Sequence, residues 1–242
     1  MTRSSKVKGV IAGFAGIVAV VGATAMTGGV AEAATTPWSG PSAGVTATAP
    51  GDGPPTLTID HRNGVVQEIR LNAPVVGMAS TPNRQGQWLV ASDGGVFAFG
   101  SAKFYGSMAG KHLNAPVVGM ASTPNGKGYW LVASDGGVFA FGSARFYGSM
   151  AGKHLNAPVV GMASTPNGKG YWLVAADGGV FAFGDAPFYG SVPGAPASER
   201  LGQAIVGITA TAGGYDLTTA DGAVYPFSAS FAPNGAGVAL AN

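Results

Sequence analysis

One module is written into this chain four times, and only folds that can place near-identical units side by side are open to it. The string LNAPVVGMASTPN begins at Leu71, Leu113 and Leu155, a spacing of 42 residues, and a decayed copy begins at Leu201. The stretch GYWLVAADGGVFAFG at 170–184 recurs almost unchanged at 128–142, and again at 86–100 with Gln87 in place of the tyrosine. Asp93, Asp135, Asp177 and Asp221 keep the same period, with a small slip in the last unit. A fixed period of this length marks an array whose members bury their apolar surface against one another. The repeats are 71–112, 113–154, 155–200 and 201–242.

Within the second repeat four short segments, 117–122, 129–134, 137–142 and 145–150, are rich in Val, Phe, Tyr or Trp and bounded by Gly, Pro, Asn or Asp. Helical patterning is absent beyond the N-terminal segment. Asp135-Gly136 fits a two-residue hairpin turn, because both central positions of such a turn take positive φ. With that turn, Ala133 opposes Val138, Val132 opposes Phe139 and Trp130 opposes Phe141. One face then carries Trp130, Val132, Phe139 and Phe141, and the other Leu131, Ala133, Val138 and Ala140. Both faces are apolar, so the hairpin needs cover on both sides and one repeat cannot fold alone.

Four-stranded units of about 40 residues with two apolar faces describe the blades of a β-propeller. The expected fold is all-β, a propeller of four blades, or five with one partial; a hairpin solenoid and a β-trefoil are the alternatives. The last unit lacks a proper fourth segment. Residues 55–70 are therefore expected to complete the last blade and close the ring, the alternative being an incomplete ring that closes by self-association. Trp88, Trp130 and Trp172 belong to the core. Asp216 stands in the fourth copy where they stand, which suggests an imperfectly packed terminal blade.

The repeat domain, 55–242, follows two segments of different character. Arg3, Lys6 and Lys8 precede an uncharged run that ends at Ala31-Glu32-Ala33, the layout of a secretory signal peptide over 1–33. A retained membrane anchor is the competing reading. Residues 34–54, rich in Pro, Gly, Thr and Ala, read as a flexible linker. Removing 1–33 takes three of the 13 basic residues and one of the 11 acidic ones, leaving ten of each. The apparent basicity belongs to the export signal, so nothing points to nucleic acid, nor to a membrane after cleavage. The chain has no cysteine, so its stability must come from packing rather than disulfides. Its expected location is outside the cell or at the cell surface.

The string GYWLVASDGGVFAFGSARFYGSM, at 128–150, resembles the tandem repeat of secreted actinobacterial proteins, often found beside cell-wall hydrolase or esterase domains. More distantly, it is similar to the tectonin repeats of tachylectin-type lectins. The resemblance covers about residues 71–231 and implies a propeller that recognises glycans or cell-envelope polymer. It carries over no catalytic domain.

In a propeller, the turns between second and third strands and the connectors between blades share one end. That gathers Asp93, Asp135 and Asp177 with Lys111, His112 and Asn114 of the connector GKHLNAP and their copies Lys153, His154 and Asn156. A ring of polar loops on a rigid scaffold is the expected ligand-binding face, for a glycan or envelope polymer; solvated turns are the plainer reading. His112 and His154 lack the short fixed spacings of a metal motif, and His61 reads as a turn residue, so no metal or cofactor is expected. No nucleophile elbow, zinc helix or phosphate loop is present, Asp185 and Glu199 stand apart, and an enzyme is not expected. The pairs Phe104-Tyr105, Phe146-Tyr147 and Phe188-Tyr189 lie on the outer segment, one ring inward and one outward, with an outward Tyr as a platform for a sugar ring.

Overall fold

The structure, a computed structural model, describes residues 45–48, 55–61, 65–194 and 203–229. The signal-peptide segment, Trp38 and Glu199 lie outside the described residues. Those described form five three-stranded antiparallel sheets. The first contains β1 (Val45–Thr48), β2 (Thr56–His61) and β3 (Val65–Arg70). The first repeat supplies β4 (Val75–Ser80), β5 (Gly86–Ala91) and β6 (Val96–Gly100); the second supplies β7 (Val117–Ser122), β8 (Gly128–Ala133) and β9 (Val138–Gly142). The third gives β10 (Val159–Ser164), β11 (Gly170–Ala175) and β12 (Val180–Gly184), and the fourth β13 (Ile205–Thr211), β14 (Gly214–Thr219) and β15 (Val224–Ser228).

The fold is an all-β array of repeated sheets, and it differs from the sequence expectation in four places. The fourth segment of the first three repeats is not a strand. Its backbone groups are taken up by core side chains instead of a ladder: the Trp130 indole N–H donates to the Arg145 carbonyl (2.7 Å), and the Tyr147 N–H donates to the Tyr171 hydroxyl (3.1 Å). Residues 55–70 do not complete the last blade. With β1, which lies inside the stretch read as linker, they build their own sheet, and Leu57, Ile59 and Ile69 cover Leu89 and Phe99 of the first repeat.

The hairpin turn is longer than two residues. Ala133 N–H donates to Gly137 O (2.8 Å) and Gly136 N–H to Ala133 O (2.9 Å), so Ser134, Asp135 and Gly136 form a three-residue turn with Gly136 at φ 76°. Asp135 does not adopt positive φ. The register moves by one: Val132 pairs with Val138, Leu131 with Phe139, Trp130 with Ala140 and Tyr129 with Phe141. Such a slip carries the whole third strand to the opposite face. The front face of the sheet, toward the preceding repeat, therefore holds Met120, Tyr129, Leu131, Phe139 and Phe141, and the rear face Ala121, Trp130, Val132, Val138 and Ala140.

Burial on both sides is retained. Trp88, Val90 and Val96 on the rear of the first repeat pack with Met120, Tyr129 and Leu131 on the front of the second, and the same set recurs between the second and third. The third interface joins Trp172 and Val174 to Tyr215, Leu217 and Phe227. The sheets of the four repeats approach most closely along their first strands. There a Cβ built on Gly77 would lie 3.2 Å from the Gly119 Cα, and the Ser122 hydroxyl donates to the Ser80 carbonyl (3.1 Å).

The fourth repeat is the fourth difference, because its front face is packed as well as the others. Its rear has changed character: Thr209, Asp216, Thr218 and Pro226 occupy the positions of Ala163, Trp172, Val174 and Ala182. A polar outer face is what the end of a stacked array requires. At the other end, Thr58 pairs with Glu68 and Thr56 with Arg70 on the side away from the core. The four apolar clusters join consecutive sheets, and among the described residues none joins the last sheet to the first.

A column of turns between first and second strands shows the same logic at one residue. A Cβ on Gly126 would meet the Pro82 Cδ at 2.8 Å, and one on Gly168 would meet the Pro124 Cδ at 2.7 Å, each from the turn before. Arg84 holds the equivalent place in the first turn, at φ 56°. Gly126→Arg is expected to cost roughly 2–4 kcal/mol, from left-handed strain plus the clash. Arg84→Gly should be neutral or about 1 kcal/mol stabilising, relief of strain offsetting glycine's entropy. Urea unfolding of both variants checks the pair.

Burial raises the phenols of Tyr129 and Tyr171, and lifts that of Tyr215 from 10.0 to about 12. The folded state thus favours the neutral phenol, and the unfolded chain ionises first. This stabilisation is complete below pH 10 and drains away as pH climbs through the folded pKa near 12. Thermal melts across that window should fall steeply in the wild type, and less steeply in Tyr215→Phe once its own lower starting stability is subtracted.

Candidate functional site

Each Asp-Gly-Gly turn is buttressed by the connector that leaves its repeat. Met108 N–H donates to Gly94 O (2.9 Å), Met150 N–H to Gly136 O (2.9 Å) and Val192 N–H to Gly178 O (3.1 Å). The connector then makes a tight turn of its own, Lys111 N–H to Met108 O (2.9 Å) and Lys153 N–H to Met150 O (2.9 Å). Turns and connectors therefore share one end of the array. In the third repeat the connector instead opens into a short 3-10 turn at Val192–Gly194, without the Lys-His pair.

The aspartates serve their turns. One oxygen of Asp93, Asp135 and Asp177 accepts the N–H of Gly95, Gly137 and Gly179, each at 2.9 Å. Asp221 accepts from the Thr219 hydroxyl and from the Ala223 N–H, which hold its carboxyl below the usual range. Lys111, His112, Asn114, Lys153, His154 and Asn156 are all exposed, and their side chains make no hydrogen bond or ion pair among the described residues. They stand on backbone fixed by the connector bonds while their polar ends face water. His61 ends β2 rather than sitting in a turn. Among the described residues no three of His, Asp and Glu come together as metal ligands.

At this end a cleft of about 460 Å³, counting space open to solvent, lies between the first sheet and the first repeat. Arg70, Asn72, Asp93, Phe97 and Ala109 are among its walls. The link from β3 to β4 beside it is only residues 71–74, shorter than the connectors that join the later repeats.

The opposite end carries a second polar cluster that sequence reasoning missed. Thr123 and Ser143 hydroxyls donate to the Asn125 side-chain oxygen (2.8 and 3.0 Å), which also accepts the Lys127 N–H (2.9 Å). In the third repeat Asp185 replaces the serine and accepts from the Asn167 amide (2.7 Å). The invariant Thr-Pro-Asn of the first three repeats was the available signal. The aromatic pairs also divide differently from expectation. Tyr105 and Tyr147 turn inward, their hydroxyls donating to Gly126 and Gly168 carbonyls (3.2 and 3.1 Å), and it is Phe146 and Phe188 that point out, 60 % and 58 % exposed.

No protein-family model matches this chain, and no curated protein is significantly similar to it. The site thus rests on its own geometry.

Asp135→Ala is expected to remove one charge-assisted bond to a turn amide and lower stability by about 0.5–1.5 kcal/mol. Asp135→Asn keeps an acceptor in place and should recover most of the loss. Equilibrium urea unfolding distinguishes the two.

Proposed function

We propose that this chain is an exported, non-catalytic binding module that recognises glycan or cell-envelope polymer through the polar loops at its Asp-turn end. One observation carries the reading. Two successive connectors present Lys, His and Asn side chains without partners on backbone held to the neighbouring turn by conserved-geometry hydrogen bonds, such as Met108 to Gly94 and Met150 to Gly136. Rigid backbone with free polar ends is what multi-site recognition of hydroxyl-rich ligands needs, since little ordering entropy remains to be lost on binding. The resemblance to secreted actinobacterial repeats and to tectonin lectins supports the same class of ligand.

The propeller belongs to this proposal. The sheets of the four repeats adjoin along their first strands, where glycine faces glycine, as blades about an axis would, and the N-terminal three-stranded sheet would supply a fifth blade. The ring would close where the two polar end faces meet, around a hydrated seam. On the last sheet that face holds Thr209, Asp216 and Thr218 with one exposed apolar side chain, Val224.

The test is a glycan array together with sedimentation on peptidoglycan. Wild-type chain should bind at least one of these polymers. The combined variant K111A/H112A/K153A/H154A should lose about tenfold or more in affinity, with an unchanged melting midpoint, because every replaced side chain is exposed. Undiminished binding by that variant would show that the loop end is not the contact.

A further inference from the structure

The flank of the array, rather than its ends, carries the feature that packing does not explain. Phe104, Phe146 and Phe188 are 36 %, 60 % and 58 % exposed, while Trp88, Trp130, Trp172, Tyr129, Tyr171 and Tyr215 are fully or almost fully buried. The remaining described aromatic rings are buried or half-buried, whereas the same place in three repeats keeps an exposed phenylalanine.

The backbone on both sides of each ring is tied down. Before Phe146, the Arg145 carbonyl accepts the Trp130 indole N–H; after it, Tyr147 N–H donates to the Tyr171 hydroxyl, which in turn donates to the Gly148 carbonyl (2.6 Å). Phe104 sits between the same bonds, from Trp88 to Lys103 O (2.8 Å) and from Tyr105 to Tyr129 (3.1 Å), and Phe188 between those of Trp172 and Tyr215. Anchors drawn from the core hold each phenylalanine outward, so the ring cannot fold back under the array. A lone exposed ring is ordinary on a protein surface; what sets these three apart is that the same position of successive repeats keeps one.

We infer that Phe104, Phe146 and Phe188 are repeated stacking platforms for the sugar rings of a glycan polymer. This rests on the proposed class of ligand but moves the contact to a different surface. Each ring stands singly, with exposed Lys103 or Arg145 beside the first two and Ser101, Ser143 or Asp185 three residues earlier. Those three residues bond to the Asn side chain of the neighbouring turn. An aromatic face with a polar rim matches a pyranose, which presents C–H bonds on its face and hydroxyls around its edge. A protein partner would call for a continuous apolar core instead. Identical platforms in successive repeats match a ligand that is itself a repeat, and several weak contacts then add through avidity.

The test uses the full chain and insoluble glycans, chitin and peptidoglycan, in sedimentation assays. F146A/F188A is the main variant, because these two rings are the most exposed and their removal should leave the melting midpoint in place. Its affinity should fall about tenfold, each single change costing roughly threefold, as expected for linked sites. F146W should retain binding, and its added indole fluorescence should shift to the blue as glycan is titrated in. If F146A/F188A loses binding while K111A/H112A/K153A/H154A keeps it, the flank is the contact and the loop-end reading falls. The reverse pattern overturns this inference and leaves the loop-end reading standing. Loss in both variants supports both surfaces, and failure of the wild-type chain to bind any glycan overturns both. A change of oligomeric state in F146A/F188A would mean that a second copy covers the rings, which also overturns the inference.

Discussion

The structure hangs on one tyrosine per interface. Tyr171 reaches back from its own sheet to lie against Trp130 of the repeat before, ring centroids 5.6 Å apart, with Tyr147 at 5.8 Å and Phe183 at 5.7 Å. Its hydroxyl accepts from Tyr147 N–H and donates to Gly148 O, so a single side chain fixes the core contact and the path of the connector together. Tyr129 and Tyr215 repeat the arrangement. The first repeat has Gln87 at this position, and the link that precedes it is only residues 71–74 rather than a connector of the Phe-Tyr-Gly type. The same bonds that stitch the sheets leave the phenylalanine between them facing outward, so packing and the exposed flank share one cause.

The ends obey a different chemistry from the middle. An interior sheet presents Trp and Val to its rear, but the fourth repeat presents Asp216 and Thr218, and the first sheet presents Thr58 and Glu68 on its outer side. On the sheet of the fourth copy, the loss of Trp and Val falls on the face with no apolar neighbour. Tyr215, Leu217 and Phe227, which meet the third repeat, remain fully or almost fully buried. Arg84 is another mark of position, occupying a left-handed turn that the second and third repeats give to glycine, where a proline from the preceding turn fills the space.

The repeat, its strands and the demand for cover on both faces were legible in the sequence because they follow from period and alternation, which survive small errors of geometry. The pairing of the third strand was not. Ser134-Asp135-Gly136 and a two-residue Asp-Gly turn differ by one residue of register, and only the observed bond from Ala133 to Gly137 separates them. The fourth segment has the composition of a strand, yet its amides go to Tyr171 and its carbonyls to Trp130, long-range partners that no local pattern announces. The grouping of Asp93 and Asp135 with the Lys-His connectors was readable from topology, and so was the aspartates' turn role from the residue that follows them. Which of Phe146 and Tyr147 faces water depended on the same long-range bonds, so that part of the candidate surface could not be reached from residue order.

Because the second and third repeats present the same front and the same rear, the seam between them is interchangeable with any other interior seam. Copies gained or lost by unequal recombination within the 42-residue period would leave the first sheet and the closing repeat untouched. The number of interior repeats can therefore change in whole steps without reworking either terminal face, and in a ring each step would alter the blade number and so the width about the axis.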